Sequence, residues 1–148
     1  MKIDLNGSFD LGVGLSKSFA FLTDPRKLST CVADLKQTKI TGDHTFETVL
    51  GVKIGPVNGN FNARCDIEPS PPDTVSINIE GAGTASTMHL VLSLKLGKKT
   101  EKLTSVVWEA TADITGLVSG LGETVLRQLS KSRIEEIIGA LKKSITTQ

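Results

Sequence analysis

The sequence predicts an α+β domain in which a sheet wraps one long helix. Three observations carry that prediction. The stretch from Leu117 to Ile145 is the one segment long enough for a major helix, and roughly thirty residues at about 1.5 Å each reach on the order of 40 Å, the width of a small domain. Almost everything before it alternates apolar and polar residues with the period of strands. No internal repeat, low-complexity tract or linker divides the chain, so residues 1–148 read as a single domain, large enough to bury a core without disulfides or metals.

Taken in order, Lys2 to Phe9 places Ile3, Leu5 and Phe9 on one face and reads as a first strand. Leu15, Phe19 and Leu22 follow at helical spacing. The Asp24-Pro25 step ends that helix and starts another at Pro25, giving two short helices joined by a turn. Asp34 to Ile40 is a weaker strand leading into a turn at Gly42-Asp43. The clearest local signal comes next. Phe46, Thr48, Leu50, Val52 and Ile54 alternate on one face, as do Val57, Gly59, Phe61, Ala63 and Cys65 after Gly55-Pro56. A type II′ turn there suits glycine first and proline second, and sets Ile54 opposite Val57, Leu50 opposite Phe61 and Phe46 opposite Cys65. Each inward residue then meets another inward residue, so turn and alternation agree independently.

Pro69, Pro71 and Pro72 end that strand. Val75, Ile77 and Ile79 face inward on the next, and Gly81-Ala82-Gly83 reads as the connection to a strand carrying Met88, Leu90, Leu92, Leu94 and Leu96. Gly97 to Thr100 reads as a turn into a last strand with Val106, Trp108, Ala110, Ala112 and Ile114 inward. In the closing helix, Val118, Leu121, Val125 and Leu129 form one stripe, and Ile134, Ile137, Ile138, Leu141 and Ile145 another. At about 100° per residue the second stripe is rotated well away from the first. Either the helix bends near Ser130–Ser132 or its end meets a different surface, and a second stripe left exposed would mark a partner or membrane contact.

With 17 basic against 16 acidic residues, electrostatics suggests neither nucleic acid nor an acidic membrane as partner. The start, MKIDLNGSFD, is acidic and polar where a signal peptide needs an apolar run, so a cytoplasmic location is expected. No apolar run approaches the roughly 20 residues that cross a bilayer, and a transmembrane anchor is not expected. Cys31 and Cys65 have neither CxxC nor metal-ligand spacing and read as buried free thiols.

No cluster spells out a catalytic mechanism. His44 sits beside a turn and His89 faces away from Met88 and Leu90, with no carboxylates at metal-ligand spacing, so no metal site is expected. Glu109 and Asp113 share a face opposite Trp108 and read as solvated charges rather than an acid–base pair. Gly12-Val13-Gly14 and Gly81-Ala82-Gly83 lack the continuation that a phosphate loop requires. The inward faces hold Ile, Val, Leu, Ala and Thr, with Phe46, Phe61, Trp108 and Met88 as their large or flexible members. Two readings of that soft lining stand: a close-packed core with glycines at turns, or a void that is used.

The runs LGVKIGPVNGNFNARCDIEPSPPD, VSINIEGAGTAS and WEATADITGLVSGLGETVL resemble the carbon monoxide dehydrogenase G-subunit family. That family lies in the START-like superfamily of helix-grip proteins (SRPBCC), with polyketide cyclases/dehydrases, lipid transporters and coenzyme Q-binding proteins. The likeness covers nearly the whole chain. The segment at Val32-Ala33-Asp34 lacks the family's usual proline. The resemblance implies a curved antiparallel sheet of about seven strands, two small helices and the C-terminal helix across its concave side. It further implies an accessory or membrane-recruitment role beside a molybdenum-containing CO dehydrogenase-type oxidoreductase, with a lipid or isoprenoid quinone as ligand, a peripheral membrane contact and no cofactor.

The leading expectation is therefore non-catalytic binding of a hydrophobic ligand between sheet and helix. Phe46, Thr48, Leu50, Phe61, Ile77, Met88, Leu90, Trp108, Leu121 and Val125 would form its walls, with Phe19 and Leu22 as gate. One alternative is a cyclase or hydrolase acting on a polyketide or aromatic substrate, for which Thr48 and Thr104 are the inward polar groups. Another is a ligand-free adaptor that docks an enzyme through the second helix stripe.

Overall fold

The computed structural model describes residues 1–54 and 56–147. Seven strands, β1 (Lys2–Leu11), β2 (Leu35–Ile40), β3 (Thr45–Ile54), β4 (Val57–Ser70), β5 (Thr74–Gly83), β6 (Ser86–Thr100) and β7 (Leu103–Gly116), form one antiparallel sheet in the order β1-β7-β6-β5-β4-β3-β2. Helices α1 (Leu15–Leu22) and α2 (Pro25–Leu28) and a 3-10 turn (Ser29–Cys31) carry the chain from one edge strand, β1, to the other, β2. Helix α3 (Glu123–Thr146) closes the fold. The architecture is the curved sheet, short helix pair and C-terminal helix that the residues and the resemblance imply.

The β3–β4 register is the expected one: Ile54 pairs with Val57, Leu50 with Phe61 and Phe46 with Cys65. The type II′ turn expected at Gly55-Pro56 lies outside the described residues. Asp24 caps α2 by accepting the Arg26 N–H at 2.9 Å, and Pro25 opens the helix, where its missing donor loses nothing.

Three expectations are corrected. Gly81-Ala82-Gly83 is not the connection but the end of β5, paired with Met88, Thr87 and Ser86. The turn is Thr84-Ala85, with φ of 48° and 54°, the two positive values a type I′ turn needs. The glycine at 83 is there for space, since a Cβ on it would lie 2.0 Å from the Asn60 carbonyl oxygen. Gly97–Thr100 likewise continues β6, and the chain turns at Glu101-Lys102. Finally, the long helix does not begin at Leu117: residues Leu117–Leu121 form a 3-10 segment, Gly122 takes φ of +91°, and α3 starts only at Glu123. Its 24 residues reach about 36 Å.

Two arginines show how the sheet curls around α3. Arg127 Nη1 donates to the Asp4 carbonyl on β1 at 2.6 Å. Six residues on, Arg133 Nη1 donates to Ala33 O and Asp34 Oδ2, each at 3.4 Å, on the chain leading into β2. Both edges of the sheet therefore reach the same helix. The second stripe of α3 is core: Leu141 and Ile145 are buried and Ile134 and Ile137 pack beside them. The first stripe divides, with Val118 buried but Val125 and Leu129 about two-fifths exposed (42% and 39%).

Candidate functional site

Cross-strand pairing places the inward residues in rows. One row runs Ile3, Ala112, Leu90, Ile79, Cys65, Phe46 from β1 to β3. The row below it runs Leu5, Ala110, Leu92, Ile77, Ile67. In a sheet closed tightly by a helix, the centre of such rows is the best-buried part. In the first row the order is inverted: Ile3, Cys65 and Phe46 are buried, whereas Ala112, Leu90 and Ile79 between them are only half-buried. In the second row Ala110, Ile77 and Ile67 are buried, and Leu92 and the edge residue Leu5 are half-buried. Met88 and Ala63, in the adjoining row, are half-buried too.

The core accordingly falls into two clusters. The larger gathers Phe21 and Leu22 of α1, Leu28, Leu94, Leu96, Val106 and Trp108 against Leu141 and Ile145 at the end of α3. The smaller joins Ile3, Val57, Phe61, Ile114 and Val118 to Leu126 at the start of α3. Leu5 touches both from between them. The helix is thus seated at its two ends and stands over an incompletely covered apolar floor in the middle. On β7 the floor is small-sided: Ala112 is half-buried, and Ala110 beside it belongs to the larger cluster.

The expected wall residues divide accordingly. Phe46, Ile77 and Trp108 are buried in the larger cluster, with Leu90 half-buried against it. Phe61 is buried in the smaller, with Leu50, Met88 and Leu121 half-buried against it. Val125, 42% exposed, lies on the outer flank of α3. Leu22, 1% exposed, is packed core, and Phe19 is half-buried beside it. Leu5, Ile79, Leu92 and Ala112 belong to the floor as well. Their parity shows in the sequence, but their lack of cover does not.

The two inward threonines are already engaged. Thr48 Oγ1 donates to the Lys36 carbonyl at 3.1 Å and pairs with Thr38 Oγ1 at 2.9 Å, filling the gap left by the bulge between Lys36 and Lys39 in β2. Thr104 Oγ1 donates to the Val13 carbonyl at 2.8 Å, tying β7 to the segment before α1. Both thiols are free and buried. Burial pushes the Cys65 thiol up to about 12, with the neighbouring Asp66 charge acting in the same direction. Burial also raises Cys31, against hydrogen bonds from Ser144 and Thr30. Neither is a thiolate near neutral pH, so neither is a nucleophile there.

The opposite face of the sheet is polar. An open trough of about 770 Å³ crosses it over Lys39, Glu47, Arg64, Glu80, His89 and Asp113. These six share one register row, so each charge faces an opposite charge or the histidine. Such exposed pairs steady a register by little and are well solvated. Among the described residues no group of His, Cys, Asp or Glu is arranged to hold a metal ion, and no helix is long and apolar enough to cross a membrane.

Comparison with known proteins agrees with the fold. The family model of the carbon monoxide dehydrogenase G-subunit (CoxG) matches residues 7–146. No curated protein matches the chain. A conserved protein from Geobacillus kaustophilus is 22% identical, superimposes with a TM-score of 0.88, and is matched over 98% of this chain and 96% of its own. A START superfamily protein from Mycobacterium smegmatis is 6% identical with a TM-score of 0.76, over 97% of each chain. Norcoclaurine synthase from Thalictrum flavum, solved with dopamine and hydroxybenzaldehyde, is 6% identical with a TM-score of 0.68, over 100% of this chain and 88% of its own. At these identities the solved structures establish the START-like fold alone.

Proposed function

The chain belongs to the CoxG family, the G-subunit family of carbon monoxide dehydrogenase, and from that premise we propose that it binds a hydrophobic ligand, a lipid or isoprenoid quinone, between the sheet and α3 without transforming it. The observation that carries the reading is the incomplete cover of the inner face: Ile79, Leu90, Leu92 and Ala112 on interior strands, with Leu5 on the edge strand β1, are only half-buried, and they pack against two separate clusters. Apolar floor left uncovered inside a fold is stabilised by an apolar guest. Ten CH₂-sized groups at about 0.8 kcal/mol each supply roughly 8 kcal/mol, micromolar affinity before ordering costs. The walls would be Phe46, Leu50, Phe61, Ile77, Met88, Leu90, Trp108 and Leu121, with Phe19 at the rim.

The family places its members beside a CO dehydrogenase, so the role we propose is that of an accessory or recruitment factor for such a molybdenum enzyme. The cyclase reading finds little support, because the Thr48 and Thr104 hydroxyls it needs already hold the β2 bulge and the approach to α1. Nor does adaptor docking through the second stripe of α3, because Ile134, Ile137, Leu141 and Ile145 pack into the core.

Native mass spectrometry of the delipidated protein with a benzoquinone bearing a two-isoprene tail tests the reading. Wild type should retain the quinone, and Ala112→Phe, which fills the floor from β7, should retain at least tenfold less while staying folded by circular dichroism. No adduct with wild type, or equal adducts with both proteins, would overturn it.

A further inference from the structure

We propose that the indole N–H of Trp108 is the polar anchor of this site, donating to an oxygen acceptor on an otherwise apolar, uncharged ligand. The proposal rests on the hydrophobic-ligand reading above and adds to it the one polar contact.

Among the described residues two buried side-chain polar atoms lack a hydrogen-bond partner, Ser18 Oγ and Trp108 Nε1. Native structures leave few such groups unpaired, and each calls for an explanation. Ser18 has an internal one. It lies on α1 one turn from the Gly14 carbonyl, which already accepts its N–H, and a rotating hydroxyl can turn back to that oxygen. The indole has no such recourse. Its single donor is fixed in the ring plane, and on a strand the ladder carbonyls lie in the sheet, not above it.

The ring stands at the border of the uncovered floor. Trp108 pairs with Gly7 on one side and Leu94 on the other. Half-buried Leu5 and Leu92 are one pleat away, both opposite Ala110. Diagonal neighbours at that spacing are within reach of a large side chain. The position of the ring is also prepared. A Cβ on Gly7 would lie 2.8 Å from Cζ2 and 3.0 Å from Nε1, so the indole edge that carries the donor rests directly on β1 because residue 7 has no side chain.

The charge of the ligand follows from what the interior lacks. Every Lys, Arg, His, Asp and Glu among the described residues is at least partly exposed. A carboxylate or ammonium head drawn inside would find no counter-charge and would be strongly disfavoured. A neutral oxygen asks for one donor, and the N–H of Trp108 is that donor.

The test uses two probes of similar size, the two-isoprene benzoquinone and the oxygen-free hydrocarbon farnesene. The chain has one tryptophan, so ¹⁵N-labelled protein gives a single indole N–H resonance. The quinone should move it downfield and farnesene should not. Trp108→Phe should lower the preference for quinone over farnesene by roughly 2- to 12-fold, the range of one net hydrogen bond. An indole resonance that stays in place while mass spectrometry shows quinone bound would overturn the anchor, as would an unchanged preference in Trp108→Phe. In either case binding of farnesene would leave the apolar site standing. Wild type that takes up neither probe would sink the site and the anchor together.

Discussion

Replacing Gly7 by alanine is a sharp test of how Trp108 is seated, because two effects of opposite sign compete. Gly7 is not among the positive-φ glycines, so alanine should lower the entropy of the unfolded chain and stabilise the strand by about 0.4–1 kcal/mol. Against this, the new methyl would lie 2.8 Å from Trp108 Cζ2 and 3.0 Å from both Cε2 and Nε1. The indole is only 8% exposed and so has little room to retreat. Overpacking of this kind typically destabilises by about 1–3 kcal/mol, and we expect it to win. The net loss is then at most about 2.6 kcal/mol, and with an unfolding entropy near 2.1 cal/mol/K per residue a chain of 148 residues should lose up to about 8 °C in Tm. Thermal melts followed by far-ultraviolet circular dichroism read the shift. The same change in a Trp108→Phe background should be neutral or stabilising, since phenylalanine lacks the fused ring that the methyl meets. Gly7→Ala melting at or above wild type would refute the seating, and a penalty that persists without the indole would place its cause elsewhere.

Thr104→Val removes the side-chain bond to the Val13 carbonyl and should destabilise by about 1–3 kcal/mol in urea melts, while quinone retention persists; loss of retention in a fully folded variant would reopen a role for this hydroxyl in the site. Ile137→Asp puts a charge beside the larger core cluster and should fail to fold or lose at least about 3 kcal/mol; a stable variant would return the second stripe of α3 to the surface. The Cys65 thiol, pushed up to about 12 by burial, is protonated in the folded protein at pH values where an unfolded thiol has lost its proton. The folded state therefore binds more protons between about pH 9 and 12, and stability should fall there with rising pH, at up to about 1.4 kcal/mol per unit. Denaturant midpoints compared with Cys65→Ala check this, and parallel alkaline slopes in the two proteins would contradict it.

Much of the fold is legible in the residues, for reasons that are local. The β3–β4 register can be read because alternation and turn chemistry constrain the same pairing twice, and all three expected partners meet. Pro25 and its Asp24 cap announce α2. The misread positions are glycines. Those at 81 and 83 look like a connection but are strand residues, and the one at 83 is kept small by Phe61 and the Asn60 backbone. Gly122 looks like an ordinary interior position of a helix that in fact begins after it. A glycine records that something comes close or that φ turns positive, without saying which, and the neighbour that decides is remote in sequence.

The candidate site is legible in the same partial way. Parity along each strand assigns Leu5, Ile79, Leu90, Leu92, Ala112 and Trp108 to one face, and that much is settled by chain geometry. Which of them the helix covers depends on where α3 is held, by Leu126 at one end, by Leu141 and Ile145 at the other, and by Arg127 and Arg133 reaching opposite edges of the sheet. By itself, then, the amino-acid order determined the elements, their facing and most of their pairing, since these follow from periods of two and 3.6 residues and from turn chemistry. Only the tertiary structure decided the uncovered floor, the engaged threonines and the unpartnered indole, because each is a distance between segments far apart in the chain.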